Sequence, residues 1–247
     1  MQEFFIPSDG IKLHVKLEKP QNTEKCPLAI VIHGLTGHME ERHIVEVSQA
    51  MNEMGIATLR VEMYGHGQSE GCFEDHTLYK WVTGALAVVD YAKTLDFVDS
   101  LYLCGHSQGG LLTMLVAGMK RDDFKAIIPL APAWMIPDGA RQGNLVGQSF
   151  DPEHIPETIE FGGLKLNGNY IRVAQTIHVE DEIQRYTGPV LIVQGNADEA
   201  VPLPYAQRAA ELYANAKLVI VPGDTHCYDY HLEMVTDAVR DFLAEQK

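Results

Sequence analysis

The fold is decided by the segment Leu101-Tyr-Leu-Cys-Gly-His-Ser-Gln-Gly-Gly-Leu111, where an apolar run enters a turn of small residues and a helical pattern leaves it. The run Leu101 to Cys104 predicts a strand, and the apolar residues from Leu111 to Met119 predict a helix. The glycines on both sides of Ser107 permit a sharp turn and a close approach of backbone and substrate. The segment therefore predicts that the Ser107 hydroxyl projects from a strained strand-to-helix corner.

Apolar runs and helical patterns alternate along the rest of the chain. The runs predict strands at Glu3 to Ile6, Ile11 to Leu17, Leu28 to Ile32, Ile56 to Val61, Leu101 to Cys104, Ala126 to Leu130, Val190 to Val193 and Leu218 to Val221. Helical patterns span His43 to Met54, Leu78 to Leu95, Leu111 to Met119, Ala206 to Tyr213 and His231 to Leu243. This order predicts an α/β fold with a mostly parallel, doubly wound sheet flanked by helices, in a single domain over residues 1–247. In the last helix, a face of Leu232, Val235, Val239 and Phe242 is expected to pack on the sheet.

One stretch, residues 132–187, interrupts the alternation. It is rich in proline and glycine and shows no clean strand period. An insertion of this length in a compact domain is usually functional, so residues 132–187 are predicted to form an inserted lid subdomain. Its large apolar side chains would provide either an aromatic pocket wall or a small core for the lid itself. They are Trp134, Met135, Ile136, Leu145, Phe150, Phe161 and Tyr170.

Composition limits the possible partners and surroundings. The 247 residues are 46% hydrophobic with a net charge of −15, which disfavours binding to nucleic acid or to an anionic membrane surface. No apolar run approaches the roughly 20 residues that span a bilayer, and the N-terminus reads as a strand rather than a secretory signal. Four widely spaced cysteines indicate free thiols. We therefore expect a cytoplasmic protein.

Two further turns offer the partners that a serine nucleophile needs. A serine hydroxyl requires a base to take its proton and a third group to orient that base. Asp198 follows the predicted strand Val190 to Val193, and His226 follows Leu218 to Val221. Both therefore lie at the carboxyl edge of the sheet, where α/β proteins build their sites.

Other residues compete for these roles less well. Asp224 is too close to His226 in the chain to reach its ring easily, and Glu199 is one position from Asp198, so both are expected to be surface charges. Ser69 and Ser149 are the alternative nucleophiles, but neither joins an apolar strand to a helix.

The other histidines and the adjacent cysteine have structural interpretations. His33 is expected to brace a loop, and His66 and His106 are expected to be structural. Cys227 is interpreted as a packing or loop residue, although it follows His226. No metal-binding motif is evident, so no metal site and no organic cofactor are predicted.

The chain order of Ser107, Asp198 and His226 resembles that of the α/β-hydrolases, as do Asp198-Glu-Ala-Val-Pro202 and Gly65-His-Gly-Gln-Ser69. The resemblance covers essentially the whole chain. It implies that Ser107 is the nucleophile, His226 the general base and then acid, and Asp198 the residue that orients His226.

The same resemblance implies an oxyanion hole. The backbone N–H groups of Leu35, within His33-Gly-Leu-Thr-Gly37, and of Gln108 match the two donors. In that role their side chains matter little, so substitutions at Leu35 or Gln108 are expected to spare catalysis more than substitutions at Ser107.

A narrower resemblance concerns the lid. Ala131 to Asp138, Phe150 to Pro156 and Gly168 to Gln175 look like the lid of bacterial cinnamoyl (feruloyl) esterases. This implies hydrolysis of small hydroxycinnamoyl esters of a sugar or phenolic alcohol, with Tyr170 and Asp138 facing the phenol. Phe161 would occupy an aromatic position of that lid, and Trp134 belongs to its pocket wall.

Three alternatives stay open at this point. The enzymatic rival is a monoacylglycerol lipase or general short-chain carboxylesterase, because the triad fixes the chemistry and only the lid selects the acyl group. A peptidase or acyltransferase could use the same triad. An alternative from another functional class is that the chain is a ligand-binding relative of the α/β-hydrolases that has lost catalysis, an interpretation that predicts a broken triad. Whether the lid also mediates the formation of a homodimer is open.

Overall fold

A computed structural model describes residues 1–21, 23–161 and 163–246. These residues form a central eight-stranded sheet in the order β1-β2-β4-β3-β5-β6-β11-β12. The strands are β1 Gln2–Ser8, β2 Ile11–Glu18, β3 Cys26–Ile32, β4 Ala57–Val61, β5 Val98–His106, β6 Phe124–Leu130, β11 Val190–Gly195 and β12 Ala216–Val221. β2 pairs antiparallel with β1 and β4, whereas the pairs from β4 to β12 are parallel. The predicted mostly parallel sheet is therefore confirmed.

Helices cover both faces of the sheet. They are α1 Arg42–Glu53, α2 Leu78–Ala92, α3 Gln108–Met119, α4 Met135–Gln142, α5 Asn169–Gln175, α6 Val179–Arg185, α7 Leu203–Leu212 and α8 Leu232–Ala244. Successive side chains of a strand point to opposite faces. Ala29 and Val31 of β3 thus join the apolar cluster with α1 and α8, while Leu28, Ile30 and Ile32 join the cluster with α2 and α3.

The last helix packs as its sequence predicts. Leu232, Val235, Val239 and Phe242 of α8 are all buried in the core between α8, α1 and the sheet. Burial of each such side chain is worth roughly 1.5–3 kcal/mol. None of the helices in the described residues is long and apolar enough to cross a membrane.

The segment between β6 and β11 departs from the simple strand and helix alternation. After α4 it forms two short antiparallel pairs, β7 Asn144–Leu145 with β8 Gln148–Ser149 and β9 Thr158–Phe161 with β10 Leu164–Asn167. α5 and α6 complete the segment, and Val179 and Ile183 of α6 are buried in the same core as α3. We call residues 131–189 the inserted segment.

Candidate active site

Ser107 lies in a strained turn between β5 and α3. Its backbone has φ 57° and ψ −118°, a region that residues other than glycine seldom adopt. The turn is tight on both sides. A Cβ atom at Gly105 would lie 2.2 Å from the Gly109 carbonyl oxygen, and one at Gly109 would lie 2.4 Å from the Ile32 carbonyl oxygen. Only glycine fits at these two positions, and the turn presents Ser107 to a pocket.

The structure brings Asp198 and His226 together from the loops after β11 and β12. His226 Nδ1 and Asp198 Oδ2 are 2.8 Å apart. Donation of the Nδ1 proton to the carboxylate leaves the Nε2 lone pair free to act as a base. His226 lines the same pocket as Ser107, although no hydrogen bond joins them among the described residues. Such catalytic bonds are often long before substrate binds.

The environment of Asp198 keeps its carboxylate ionised. The side chain is fully buried, and burial alone would raise its pKa. The hydrogen bond and charge of His226 oppose this effect, together with the N–H of Val201 and the amide of Gln194 at 2.8 Å each. The net result is a pKa below the ordinary value. Asp198 is thus negatively charged at neutral pH.

The competing acids and serines have other surroundings. Asp224 is fully buried, so the expectation that it is a surface charge is wrong. It accepts hydrogen bonds from three backbone N–H groups, of Thr225, Tyr230 and His231, and so shapes the loop that carries His226. Glu199 is exposed, as expected.

Neither rival serine has a nucleophile's setting. Ser69 is buried, where its hydroxyl donates to the Glu62 carbonyl oxygen at 2.5 Å and accepts from the His14 N–H. Ser149 is exposed on β8.

The loop after β3 lies directly against Ser107. A Cβ atom at Gly34 would lie 3.1 Å from Ser107 Cβ, and Leu35 lines the pocket. His33 braces this loop, because its Nδ1 lies 2.7 Å from the Gly34 carbonyl oxygen and its Nε2 accepts the Met63 N–H. Burial lowers the pKa of His33 to about 3, so the ring is neutral. The loop therefore holds the Leu35 backbone beside Ser107.

Gln108 is the first residue of α3, where backbone N–H groups have no acceptor within the helix. Its side chain is buried, and its Oε1 accepts a 2.5 Å hydrogen bond from the Tyr170 hydroxyl. Tyr170 is itself fully buried, with His76 packed against its ring. No sequence pattern predicts this contact between α3 and α5.

Two more lid residues that were predicted to contact substrate, Trp134 and Asp138, do not line the pocket. Trp134 is fully buried, with the Arg208 guanidinium 4.3 Å from its ring centroid. Asp138 forms ion pairs with Arg141 at 2.6 Å and with Arg208 at 3.4 Å. The side chain of Phe161 lies outside the described part of the chain. The side chains of Trp134, Asp138 and Tyr170 are thus engaged with other protein residues.

The pocket above Ser107 has a volume of about 140 Å³. Its wall is mostly apolar and comes from the inserted segment and the loop after β11. The main apolar contributors are Ala133, Met135, Ile136, Val146 and Val201. Met135 and Ile136 belong to the expected apolar set of the lid. Val146, between two two-residue strands, had no sequence signal.

Two polar groups in the pocket were missed. The Glu41 carboxylate lines the pocket, and burial raises its pKa. Cys227 also lines it, so its interpretation as a packing or loop residue is incomplete. Burial raises the pKa of the Cys227 thiol to about 11, which makes it a poor nucleophile at neutral pH.

Comparison with known proteins agrees with this geometry. The family model described as serine aminopeptidase, S33 matches residues 23–156, and one described as TAP-like protein matches residues 169–247. The chain is 61% identical to Est1E from Butyrivibrio proteoclasticus in a structure with ferulic acid bound. That alignment covers 98% of both chains with a TM-score of 0.97.

More distant relatives match in sequence. Human protein ABHD12B is 26% identical over 89% of this chain, which spans 61% of that protein's length. Monoglyceride lipase of Mus musculus is 28% identical over 51% of this chain and 41% of its own length. The prediction of a hydrolase is confirmed. The chain belongs to the α/β-hydrolase superfamily, in the family described as serine aminopeptidase, S33.

Proposed function

We propose that the protein is a serine carboxylesterase that hydrolyses small hydroxycinnamate esters. The observation that carries the proposal is the 61% identity, over nearly the whole chain, to a protein that binds ferulic acid. The paired Asp198 and His226 beside Ser107 supply the chemistry of acyl transfer. The comparison supports the hydroxycinnamate prediction over the lipase alternative, because the identity to the protein with ferulic acid bound is 61%, whereas the mouse and human monoglyceride lipases are 28% and 24% identical.

The residues suggest a two-step reaction. His226 Nε2 takes the proton of Ser107 as its Oγ attacks the ester carbonyl carbon, and the N–H groups of Leu35 and Gln108 receive the resulting oxyanion. His226 then gives that proton to the departing alkoxide, leaving an acyl group on Ser107. In the second step His226 takes a proton from water as the water attacks the acyl carbon, and it gives that proton to the Ser107 Oγ as the hydroxycinnamate departs. Each oxyanion donor would contribute about 3 kcal/mol to transition-state stabilisation.

The shape of the pocket suggests where each half of the ester binds. Ligand pockets are usually about 300–1,000 Å³, so a cavity of about 140 Å³ is too small for a whole sugar ester. A second cavity of about 410 Å³ adjoins it, and the two share Met135, Val146 and Ala200. We place the flat aromatic acyl group in the apolar pocket and the alcohol in the second cavity, where Gln142 and Asn144 offer hydrogen bonds.

The inserted segment would act as the lid in this scheme, since Met135, Ile136 and Val146 cover the pocket. Direct contact of Trp134, Asp138 or Tyr170 with the phenol would require these side chains to leave their present partners. The cytoplasmic setting and a homodimer stay predictions.

The test is a comparison of kcat/KM for methyl ferulate and ethyl butyrate. We expect the ferulate ester to be preferred, and a butyrate preference of about tenfold or more would refute the acyl assignment. Ser107→Ala should abolish the burst of ferulate release and labelling by a fluorophosphonate. Ser149→Ala, which removes an exposed serine, is the matched control and should behave as wild type.

A further inference from the structure

Three side chains of the types that bind metal ions lie close together next to His226. His43 comes from α1, His106 ends β5, and Cys227 follows His226 in the loop after β12. One ring nitrogen of each histidine and the Cys227 sulfur all lie within 4.8 Å of one another. We call this group the His43–His106–Cys227 cluster. His43 and His106 are 63 positions apart in the chain, and His106 and Cys227 are 121 positions apart, so no short ligand spacing reveals the cluster in the sequence.

Both histidines direct an unused nitrogen into the protein interior. His43 Nε2 and His106 Nδ1 are buried and have no hydrogen-bond partner among the described residues. The tautomer of His106 follows from its other nitrogen, because Nε2 lies 2.8 Å from the His226 carbonyl oxygen and must donate to it. A neutral His106 therefore carries a lone pair on Nδ1. An unpaired buried polar atom is costly, and such atoms call for an explanation.

The cluster borders the pocket above Ser107, and a carboxylate lies beside it. Cys227 and His106 both line that pocket, so an ion could reach them without unfolding. The Glu41 carboxylate also lines it, with Oε2 4.0 Å from His43 Nε2. A nearby carboxylate raises the local concentration of a divalent cation.

We propose that the His43–His106–Cys227 cluster is an inhibitory site for Zn²⁺ and similar thiophilic divalent ions. Imidazole nitrogens and thiolates are both zinc ligands, and with three protein ligands a water completes the tetrahedron. As the S–Zn bond forms, the Cys227 thiol releases its proton to solvent. Zn–N bonds of about 2.0 Å and a Zn–S bond of about 2.3 Å place the ligand atoms roughly 3.3–3.6 Å apart. The three groups must therefore draw together by an ångström or so.

Binding at this cluster would block catalysis although none of the three ligands belongs to the proposed triad. His106 immediately precedes Ser107 and Cys227 immediately follows His226, so contraction of the cluster moves both parts of the triad. The His106 and His226 rings are 4.6 Å apart between centroids. A dication beside them disfavours the imidazolium that His226 must form. The site would be inhibitory rather than catalytic, because no step of the proposed reaction uses the ion.

The test measures zinc binding directly and then inhibition. Calorimetry should show one Zn²⁺ per chain, and Co²⁺ should give a thiolate-to-cobalt absorption band in the near ultraviolet. Cys227→Ser and His43→Gln should each weaken Zn²⁺ affinity about tenfold or more and weaken inhibition in parallel. Cys72→Ser removes an exposed cysteine far from the cluster in the chain and is the matched control.

Three results would overturn the proposal. The first is equal Zn²⁺ affinity in Cys227→Ser and Cys72→Ser, and the second is a cobalt complex without the thiolate band. The third is stoichiometric Zn²⁺ binding that leaves ester hydrolysis unchanged. The binding measurements need no substrate, so they remain informative if the hydroxycinnamate assignment fails.

Discussion

Replacing Asp198 with asparagine tests the triad most sharply, because both ends of the carboxylate accept hydrogen bonds. Oδ1 accepts from the N–H groups of Ala200 and Val201, and Oδ2 accepts from Gln194 and His226. The introduced amide has a single acceptor oxygen. If that oxygen keeps the two backbone donors, the NH₂ group faces Gln194 and His226.

This arrangement gives His226 the wrong tautomer. The NH₂ group must donate to Nδ1, which leaves the ring proton on Nε2. A protonated Nε2 cannot accept the proton of Ser107. For Asp198→Asn we expect kcat to fall about 10⁴-fold, or about 5.5 kcal/mol in activation free energy, as in other serine triads. The opposed NH₂ groups of the new amide and Gln194 should also lower the free energy of unfolding by about 1–3 kcal/mol.

The assays are steady-state hydrolysis of a nitrophenyl ester and urea unfolding. Asp122→Asn is the matched control, because the Asp122 side chain is 91% exposed. A kcat for Asp198→Asn within about tenfold of wild type at neutral pH would refute the tautomer argument.

The stability difference should also depend on pH. The pKa of Asp198 in the folded protein lies below its ordinary value of 3.8. Its ionised form therefore stabilises the protein fully above that value, and this contribution is lost as the pH falls through the lowered pKa. The stability advantage of wild type over Asp198→Asn should shrink below about pH 4. A constant difference down to pH 2 would contradict the assigned pKa shift.

Three further predictions concern the turn and the inserted segment. Ser107→Gly should abolish the acyl-enzyme yet raise the free energy of unfolding by about 1 kcal/mol, because φ is 57° there; Ser107→Ala should lose activity without that gain. Gly109→Ala should destabilise the protein by about 1–3 kcal/mol in urea unfolding, since its Cβ would meet the Ile32 carbonyl oxygen at 2.4 Å; an unchanged midpoint would be inconsistent. Tyr170→Phe should lower kcat/KM equally for ferulate and cinnamate esters, because the hydroxyl bonds Gln108; a loss confined to the phenolic ester would favour direct phenol contact instead.

Outside the inserted segment, the positions of strands and helices were predictable because burial requires apolar runs. All eight sheet strands occur where such runs predict them. The start of α3 was misplaced, since it begins at Gln108 rather than Leu111. Gly109 and Gly110 carry no apolar signal. Their role is spatial, as a Cβ atom at Gly110 would lie 2.9 Å from the Leu130 carbonyl oxygen.

The pairing of Asp198 with His226 was predictable for a related reason. Asp198 and His226 each follow a strand of a parallel sheet, and topology alone brings the carboxyl ends of such strands to one edge. The inserted segment has no comparable rule. The Tyr170 hydroxyl donates a hydrogen bond to Gln108, 62 residues away, and the Asp138 carboxylate accepts one from Arg208, 70 residues away. Such choices depend on packing that sequence periodicity does not describe.

The contact between Gln108 and Tyr170 revises the expectation that the Gln108 side chain matters little. Gln108 belongs to the turn that holds Ser107, and Tyr170 belongs to the inserted segment, so this buried hydrogen bond links the catalytic corner to the lid. Either Gln108→Ala or Tyr170→Phe leaves a buried polar group unpaired, at about 1–3 kcal/mol, whereas the double variant removes both groups. A double-mutant cycle by urea unfolding should therefore show the double loss to be about 1 kcal/mol smaller than the sum. Additive losses would show that the two side chains contribute independently and that the lid and the catalytic corner are not coupled through this bond.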